Sequence, residues 1–251
     1  MVSIIIPAYN AEKTINRTLY SILRQTYKDF ECLVICNSCT DKTYHLSKNF
    51  ENFDNRFKVF NFSWGGVSKS RNKGINLSKG EFIMFIDADD YIDNDYIEKM
   101  ISAQNMSKSK LVRSKINVHY FNKKSQWGLP EYGFITLNNE LLFKNVLYDV
   151  GHTPVYLYDR DLIADIRFNE NIEMGEDLMF NMEMIMKNGE LYSTDICGYN
   201  YSRYNSKLSL KNCDGNEVLR HYDELENKYG INNIFRNFIE NIFLKKHNKK
   251  D

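Results

Sequence analysis

"GEFIMFIDADDYID", Gly80–Asp93, sets the apolar residues Phe82 to Ile86 directly against three carboxylates, Asp87, Asp89 and Asp90. An apolar run without polar alternation reads as a strand buried on both faces, as in a parallel sheet covered by helices. Parallel strands require crossover connections, and the sequence before this run supplies them. Val2 to Ile6 is a β-branched run closed by Pro7, and Asn10 then stands where it can cap a helix. Ile15, Leu19, Ile22 and Leu23 of that helix share one stripe. Further strands are expected at Phe30 to Cys36 and Phe57 to Phe60, with helices around Asp41 to Phe50 and, after a Gly65-Gly66 loop, from about Ser68 to Leu77. Such alternation predicts an α/β fold whose ligands lie outside the carboxyl ends of the strands. The Asp cluster occupies one of those ends.

The rest of the chain sets bounds. In 251 residues, 33 basic side chains balance 33 acidic ones. No global positive field exists to hold a polyanion, which argues against a nucleic-acid partner. The N-terminus has no basic region and too few apolar residues for a secretory signal or membrane span. Five cysteines, an odd number in a chain this large, suit a reducing, cytoplasmic compartment.

Past Leu111 the pattern loosens. "KLVRSKINVHYF" alternates as an antiparallel strand would, and Trp127, Gly128 and Pro130 mark a turn region. A helix is expected near Gly175, with Leu178, Met182, Ile185 and Met186 in step, then short strands at Leu191 to Ser193 and Gly198 to Tyr201. The end of the chain reads as helical. Ile231 to Lys246 carries Ile234, Phe235, Phe238, Ile242 and Phe243 on one side and runs into "KKHNKK". That tail suits a peripheral helix on anionic lipid at the inner face of a membrane, or a helix packed on the body.

On an extended backbone Asp87 and Asp89 lie roughly 6–7 Å apart on one side. Carboxylates that close repel unless a cation or proton intervenes. Mg²⁺ or Mn²⁺ needs few protein oxygens when a substrate diphosphate supplies the others. The plainer reading is a solvated strand end whose acidity, continued by Asp93 and Asp95, caps the next helix.

Three stretches together, "VSIIIPAYNAEKTINRTLYSILRQTYKDFECLVI", "GGVSKSRNKGINLSKGEFIMFIDADDYI" and "NENIEMGEDLMF", resemble the inverting family-2 glycosyltransferases of the GT-A, nucleotide-diphospho-sugar fold. The resemblance covers about residues 1–210. It implies a mostly parallel central sheet flanked by helices, with a smaller mixed acceptor-binding lobe and C-terminal helices. The matching divisions are a nucleotide-sugar-binding part at 1–100, an acceptor and catalytic-base part at 101–210, and a helical, basic tail at 211–251. The implied reaction moves a hexose or N-acetylhexosamine from a nucleotide-diphosphate sugar to a hydroxyl of a glycan or lipid-linked glycan of the cell surface, with Mn²⁺ or Mg²⁺.

Site residues follow from the same resemblance. Pro7, Ala8 and Tyr9 match the turn beside the nucleoside, and Arg71 matches a basic residue of the donor pocket. Asp87, Ala88 and Asp89 match the D-x-D that holds ribose and metal. Glu176 and Asp177 match an E-D pair whose Asp is the usual general base, and Arg203 matches a late arginine that closes over the diphosphate. One departure stands out. Where the family commonly has two adjacent Asp, this chain has Cys36 and Asn37. Asn37 can accept from a pyrimidine N3–H and donate from its NH₂ to O4, a pattern that fits uracil or thymine, and uracil is the base expected.

Other readings compete. Tyr9 can be an ordinary tyrosine, Arg71 a helix-surface charge, and Glu176-Asp177 simply a favoured helix start worth about 0.3–1 kcal/mol. Cys32, Cys36 and Cys39 have the C-x₃-C-x₂-C spacing of an iron–sulfur cluster, although two of them fall on a strand. A haloacid-dehalogenase-like phosphatase also places D-x-D at a strand end, but after its first strand. A sugar-binding module without catalysis is the non-enzyme alternative.

Overall fold

A computed structural model describes residues 1–120, 123–129, 132–136, 153–172, 175–202 and 215–230. The first half alternates as the sequence predicts, with β1 (Val2–Ala8), α1 (Ile15–Leu23), β2 (Phe30–Asn37), α2 (Thr43–Phe53), β3 (Phe57–Phe62), α3 (Val67–Leu77) and β4 (Phe82–Phe85). β1 pairs in parallel with β2 and β4, and β2 with β3. Every residue of β1 and β4 is buried, because helices cover both faces of this part of the sheet. α1 buries Ile15, Thr18, Leu19 and Ile22, the i, i+3, i+4, i+7 stripe of an amphipathic helix. α3 lies close on β1 because residue 74 is glycine: a Cβ there would stand 2.2 Å from Ile5 Cγ2.

The second half continues the same sheet. β5 (Tyr91–Ile92), α4 (Tyr96–Ser107), β6 (Leu111–His119), β7 (Lys124–Trp127) and β8 (Gly133–Thr136) are followed by β9 (Tyr156–Asp159), α5 (Arg160–Ile163), α6 (Glu176–Asn188), β10 (Glu190–Ser202) and α7 (Gly215–Tyr229). The described strands form one ten-stranded sheet in the order β3-β2-β1-β4-β9-β6-β10-β5, with β7 on β6 and β8 on β10. β9 pairs antiparallel with both β4 and β6 and joins the two halves. Mixed pairing begins at that strand.

Several local expectations change in the structure. Asn10 does not cap α1: its backbone is left-handed, φ 46°, and its Oδ1 accepts from the Thr40 N–H at 2.8 Å. Asp95 precedes α4 but pairs with Lys99 at 2.8 Å without capping, while Asp93 Oδ1 accepts from Asn200 Nδ2 at 2.9 Å. β6 is buried on nearly every residue instead of alternating, because β9 and β10 flank it. β10 is one long strand where two short ones were expected, continuous through register shifts between Ser193 and Tyr199. Trp127 closes a strand paired with β6. Pro130 and the tail from Ile231 to Lys246 lie outside the described residues. α7, just before that tail, packs on the body through buried Leu219, Tyr222 and Leu225.

Candidate active site

Arg71 on α3 is 3% exposed and faces three carboxylates from distant parts of the chain. Its Nη1 donates to Glu176 Oε1 at 3.0 Å and to Asp177 Oδ1 at 2.5 Å, and its Nη2 to Asp87 Oδ1 at 3.2 Å. The guanidinium also stands over the Phe168 ring, 5.2 Å from its centroid. Glu176 and Asp177 open α6 behind Gly175, where the partial positive charge of a helix N-terminus favours acids. Asp87 follows β4. Asp177 Oδ2 takes a long hydrogen bond, 3.4 Å, from the Thr153 N–H. The site is thus assembled where the carboxyl end of β4, the buried face of α3 and the start of α6 converge.

One cation against three carboxylates leaves excess negative charge in a poorly solvated place. Burial pushes the Asp87 carboxyl up to about 6, against the pull of Arg71 and with help from Asp177 and Asp89. Glu176 rises to about 7, chiefly through burial and then through Asp177, with Arg71 opposing. A folded Glu176 that titrates near 7 holds its proton more tightly than an unfolded one near 4.5, so stability falls as pH rises through that window. Glu176→Gln keeps an oxygen acceptor for Arg71 and removes the charge. It is expected to stabilise the ligand-free protein by about 1–3 kcal/mol at pH 8, with the gain vanishing towards pH 4.5. Urea melts at both pH values check this; a loss of stability at pH 8 would show that the ion pair with Arg71 outweighs the crowding.

α1 fixes the backbone of the acidic turn. Thr14 Oγ1 and Thr18 Oγ1 donate to Ala88 O at 2.9 and 3.0 Å, and Thr18 Oγ1 also to Asp90 O at 2.6 Å. Arg17 Nη2 donates to Asp89 O at 2.6 Å and to Ser202 Oγ at 2.9 Å. Asp90 is 1% exposed and accepts from Tyr199 Oη at 2.6 Å and the Ser202 N–H at 2.8 Å. Its carboxyl is driven well above the usual range by burial, then by Asp87 and Asp89. The third Asp of the run therefore ties the turn to β10, while Asp89 stays exposed.

Among the described residues, no group of three or more His, Cys, Asp or Glu is placed to hold a metal ion. Exposed Asp89, with Asp87 beside it engaged by Arg71, suits Mg²⁺ or Mn²⁺ completed by phosphate oxygens and water. An all-protein cage does not fit.

Other expected donor residues gather at the ends of β1 and β2. Pro7 and Ala8 are buried at the end of β1, and Tyr9 projects just beyond, 63% exposed. Asn37 closes β2 at 3% exposure. Its NH₂ donates to Ser70 Oγ and, at 3.5 Å, to Gly66 O, so this group is engaged inside the protein and not turned towards a uracil O4. Arg203 lies outside the described residues.

Cys32 and Cys36 are buried within β2, and burial lifts the Cys36 thiol to about 12. Neutral thiols inside a sheet do not make an iron–sulfur cradle. What sequence reasoning missed is the role of Arg71 as common partner. Its partners lie 16, 105 and 106 positions away, and no local pattern carries that information.

Comparison with known proteins agrees with this fold. The family model for glycosyl transferase family 2 matches residues 3–162. The uncharacterized glycosyltransferase EpsJ of Bacillus subtilis is 27% identical over 72% of this chain and 55% of its own length. The poly(ribitol-phosphate) beta-N-acetylglucosaminyltransferase TarS of Staphylococcus aureus is 28% identical over 72% of this chain and 32% of its own. A crystal structure of residues 1–349 of TarS in complex with UDP superposes with a TM-score of 0.80 at 25% identity, covering 98% of this chain and 71% of that one. The chain spans about half of EpsJ and about a third of TarS.

Proposed function

The chain belongs to glycosyl transferase family 2 and has the GT-A fold, and from that premise we propose that it transfers a hexose or N-acetylhexosamine, with inversion, from a UDP-sugar to a hydroxyl of a cell-surface glycan. The carrying observation is the meeting of the acidic turn after β4 with the Glu176-Asp177 helix start at a single arginine. Residues 1–100 serve the donor and residues 101–210 bring the acceptor to Asp177. The TarS complex with UDP supports a uridine nucleotide, and the names of EpsJ and TarS support glycosyl transfer.

In this reading Asp177 takes the proton of the acceptor hydroxyl as the oxygen attacks the anomeric carbon from the face opposite the leaving diphosphate. Arg71 fixes Asp177 Oδ1, which leaves Oδ2, with its long contact to Thr153, to receive that proton. Glu176 shares Arg71 and orients the helix start. Asp89, with Asp87 next to it, would hold Mn²⁺ or Mg²⁺, whose charge offsets what builds on the departing diphosphate. The carbonyl of Asn37 is left to accept from the uracil N3–H. A phosphatase of the haloacid-dehalogenase type needs the first Asp free as nucleophile, and Asp87 is held by Arg71. A binding module would not need a positioned Asp177.

Two tests address the donor end. Asp89→Asn and chelation by EDTA are each expected to abolish measurable transfer, with UDP affinity falling about tenfold or more in the variant. Full activity in EDTA with Asp89→Asn unchanged would remove the metal from the reaction. In a donor screen by thermal shift, UDP-sugars are expected to stabilise the protein and GDP-sugars not. A GDP-sugar as sole productive donor would overturn the uracil assignment.

A further inference from the structure

The carboxyl ends of β1, β2 and β3 lie side by side, and each presents a different group. β1 ends before exposed Tyr9, β2 ends at Asn37, and β3 ends at Phe62 with Trp64 two residues on. The register fixes this row: Ala8 is level with Cys36, and Asn37 with Phe62. The loop after β3 is tied down beside Asn37. Ser38 N–H donates to Phe62 O at 2.8 Å, Ser38 Oγ to Ser63 O at 2.8 Å, and Asn37 Nδ2 reaches Gly66 O. Gly66, with φ 109°, then turns the chain into α3, a conformation L side chains rarely adopt.

Trp64 packs against the edge of the core and is only partly buried. Its indole is half-exposed, stacked on the Phe62 ring at 4.6 Å and 22°, with the Lys69 ammonium over it at 5.1 Å. A large aromatic held on a second ring at a ligand-binding edge of the sheet is a stacking platform for a flat, electron-poor ring.

We propose that Trp64 forms one wall of the nucleobase slot, facing Tyr9 across Asn37. This deepens the UDP-sugar reading and rests on it. The dimensions agree. β1 and β3 are two strand spacings apart, about 9–10 Å, and a base between two rings needs about 7 Å, which a modest tilt of either ring supplies. Lys69 is exposed, and its contact with the indole is of the weak kind that an entering base replaces. Trp64 contributes stacking, which accepts any base, while only the side-chain carbonyl of Asn37 is left for the base edge.

The test uses the full chain and its two tryptophans. In Trp127→Phe, Trp64 is the sole indole, and saturating UDP with Mn²⁺ is expected to quench at least half of its emission. Binding followed by calorimetry should weaken about 5- to 100-fold in Trp64→Ala and recover most of that loss in Trp64→Phe, as base stacking predicts. Unchanged melting temperatures separate these effects from misfolding. If UDP binds by calorimetry yet Trp64 emission does not change, or Trp64→Ala binds as well as the parent, this wall is refuted and the donor reading stands. If no nucleoside diphosphate binds the unmodified protein at all, the donor reading fails and the wall with it.

Discussion

Asp177→Asn is expected to lower kcat by about 10²–10⁴-fold while UDP affinity changes less than twofold. The amide keeps the shape of the carboxylate and its acceptor oxygen for Arg71 but cannot take a proton, and a positioned general base contributes about that factor. Asp177 and Glu176 are adjacent at the start of α6, so their side chains diverge by about 100°. Arg71 Nη1 nevertheless reaches both. The assignment of the base to Asp177 therefore rests on which carboxylate has an oxygen left for the acceptor. Steady-state kinetics on Asp177→Asn and Glu176→Gln decide it. Near-normal turnover in the first with loss in the second would reverse the roles, and retention in both would reduce the pair to a favoured helix start.

Arg71→Met carries the largest expected cost in stability, about 3–5 kcal/mol at pH 8, together with loss of transfer. Methionine fills much of the aliphatic volume under Phe168 but leaves Asp87, Glu176 and Asp177 without their cation. Removing one partner of a buried ion pair is far more damaging than never having built the pair. The loss should shrink sharply by pH 5. Asp87 and Glu176 already titrate near 6 and 7 with the arginine present, and without it they hold protons more tightly still. Arg71→Lys should fall between, since an ammonium cannot fork across three carboxylates. Urea melts at pH 5 and pH 8 check both variants. A loss below about 1 kcal/mol at pH 8 for Arg71→Met would show that the cluster does not depend on this cation.

Much of the first half of the fold was readable because its signals are local. Short runs such as Val2–Ile6 and Phe82–Ile86, flanked by turn signals, fit a strand buried on both faces, and the stripe of Ile15, Leu19 and Ile22 fits a helix on a core. The second half was read less well for a physical reason. β6 looked alternating because Arg113, Ser114 and Asn117 interrupt its apolar residues, yet all three are buried. Neighbouring strands, not residue polarity, set its environment. β10 read as two pieces because its register shifts around Cys197, a property of the pairing with β6.

The sequence by itself determined the alternating α/β half, the acidic turn at the end of a buried strand, the helix start at Glu176-Asp177 and the family to which these motifs belong. Each is carried by residues close together in the chain, where spacing alone limits the backbone. Only the tertiary structure decided that Arg71 is the common partner of Asp87, Glu176 and Asp177, that Asp90 serves as a tie to β10, and that the NH₂ of Asn37 is already engaged. Those outcomes depend on which groups meet across 16 to 112 positions and on how much water the meeting excludes. Charge pairing and burial are properties of a place in space, and a linear pattern does not encode that place until the sheet has formed.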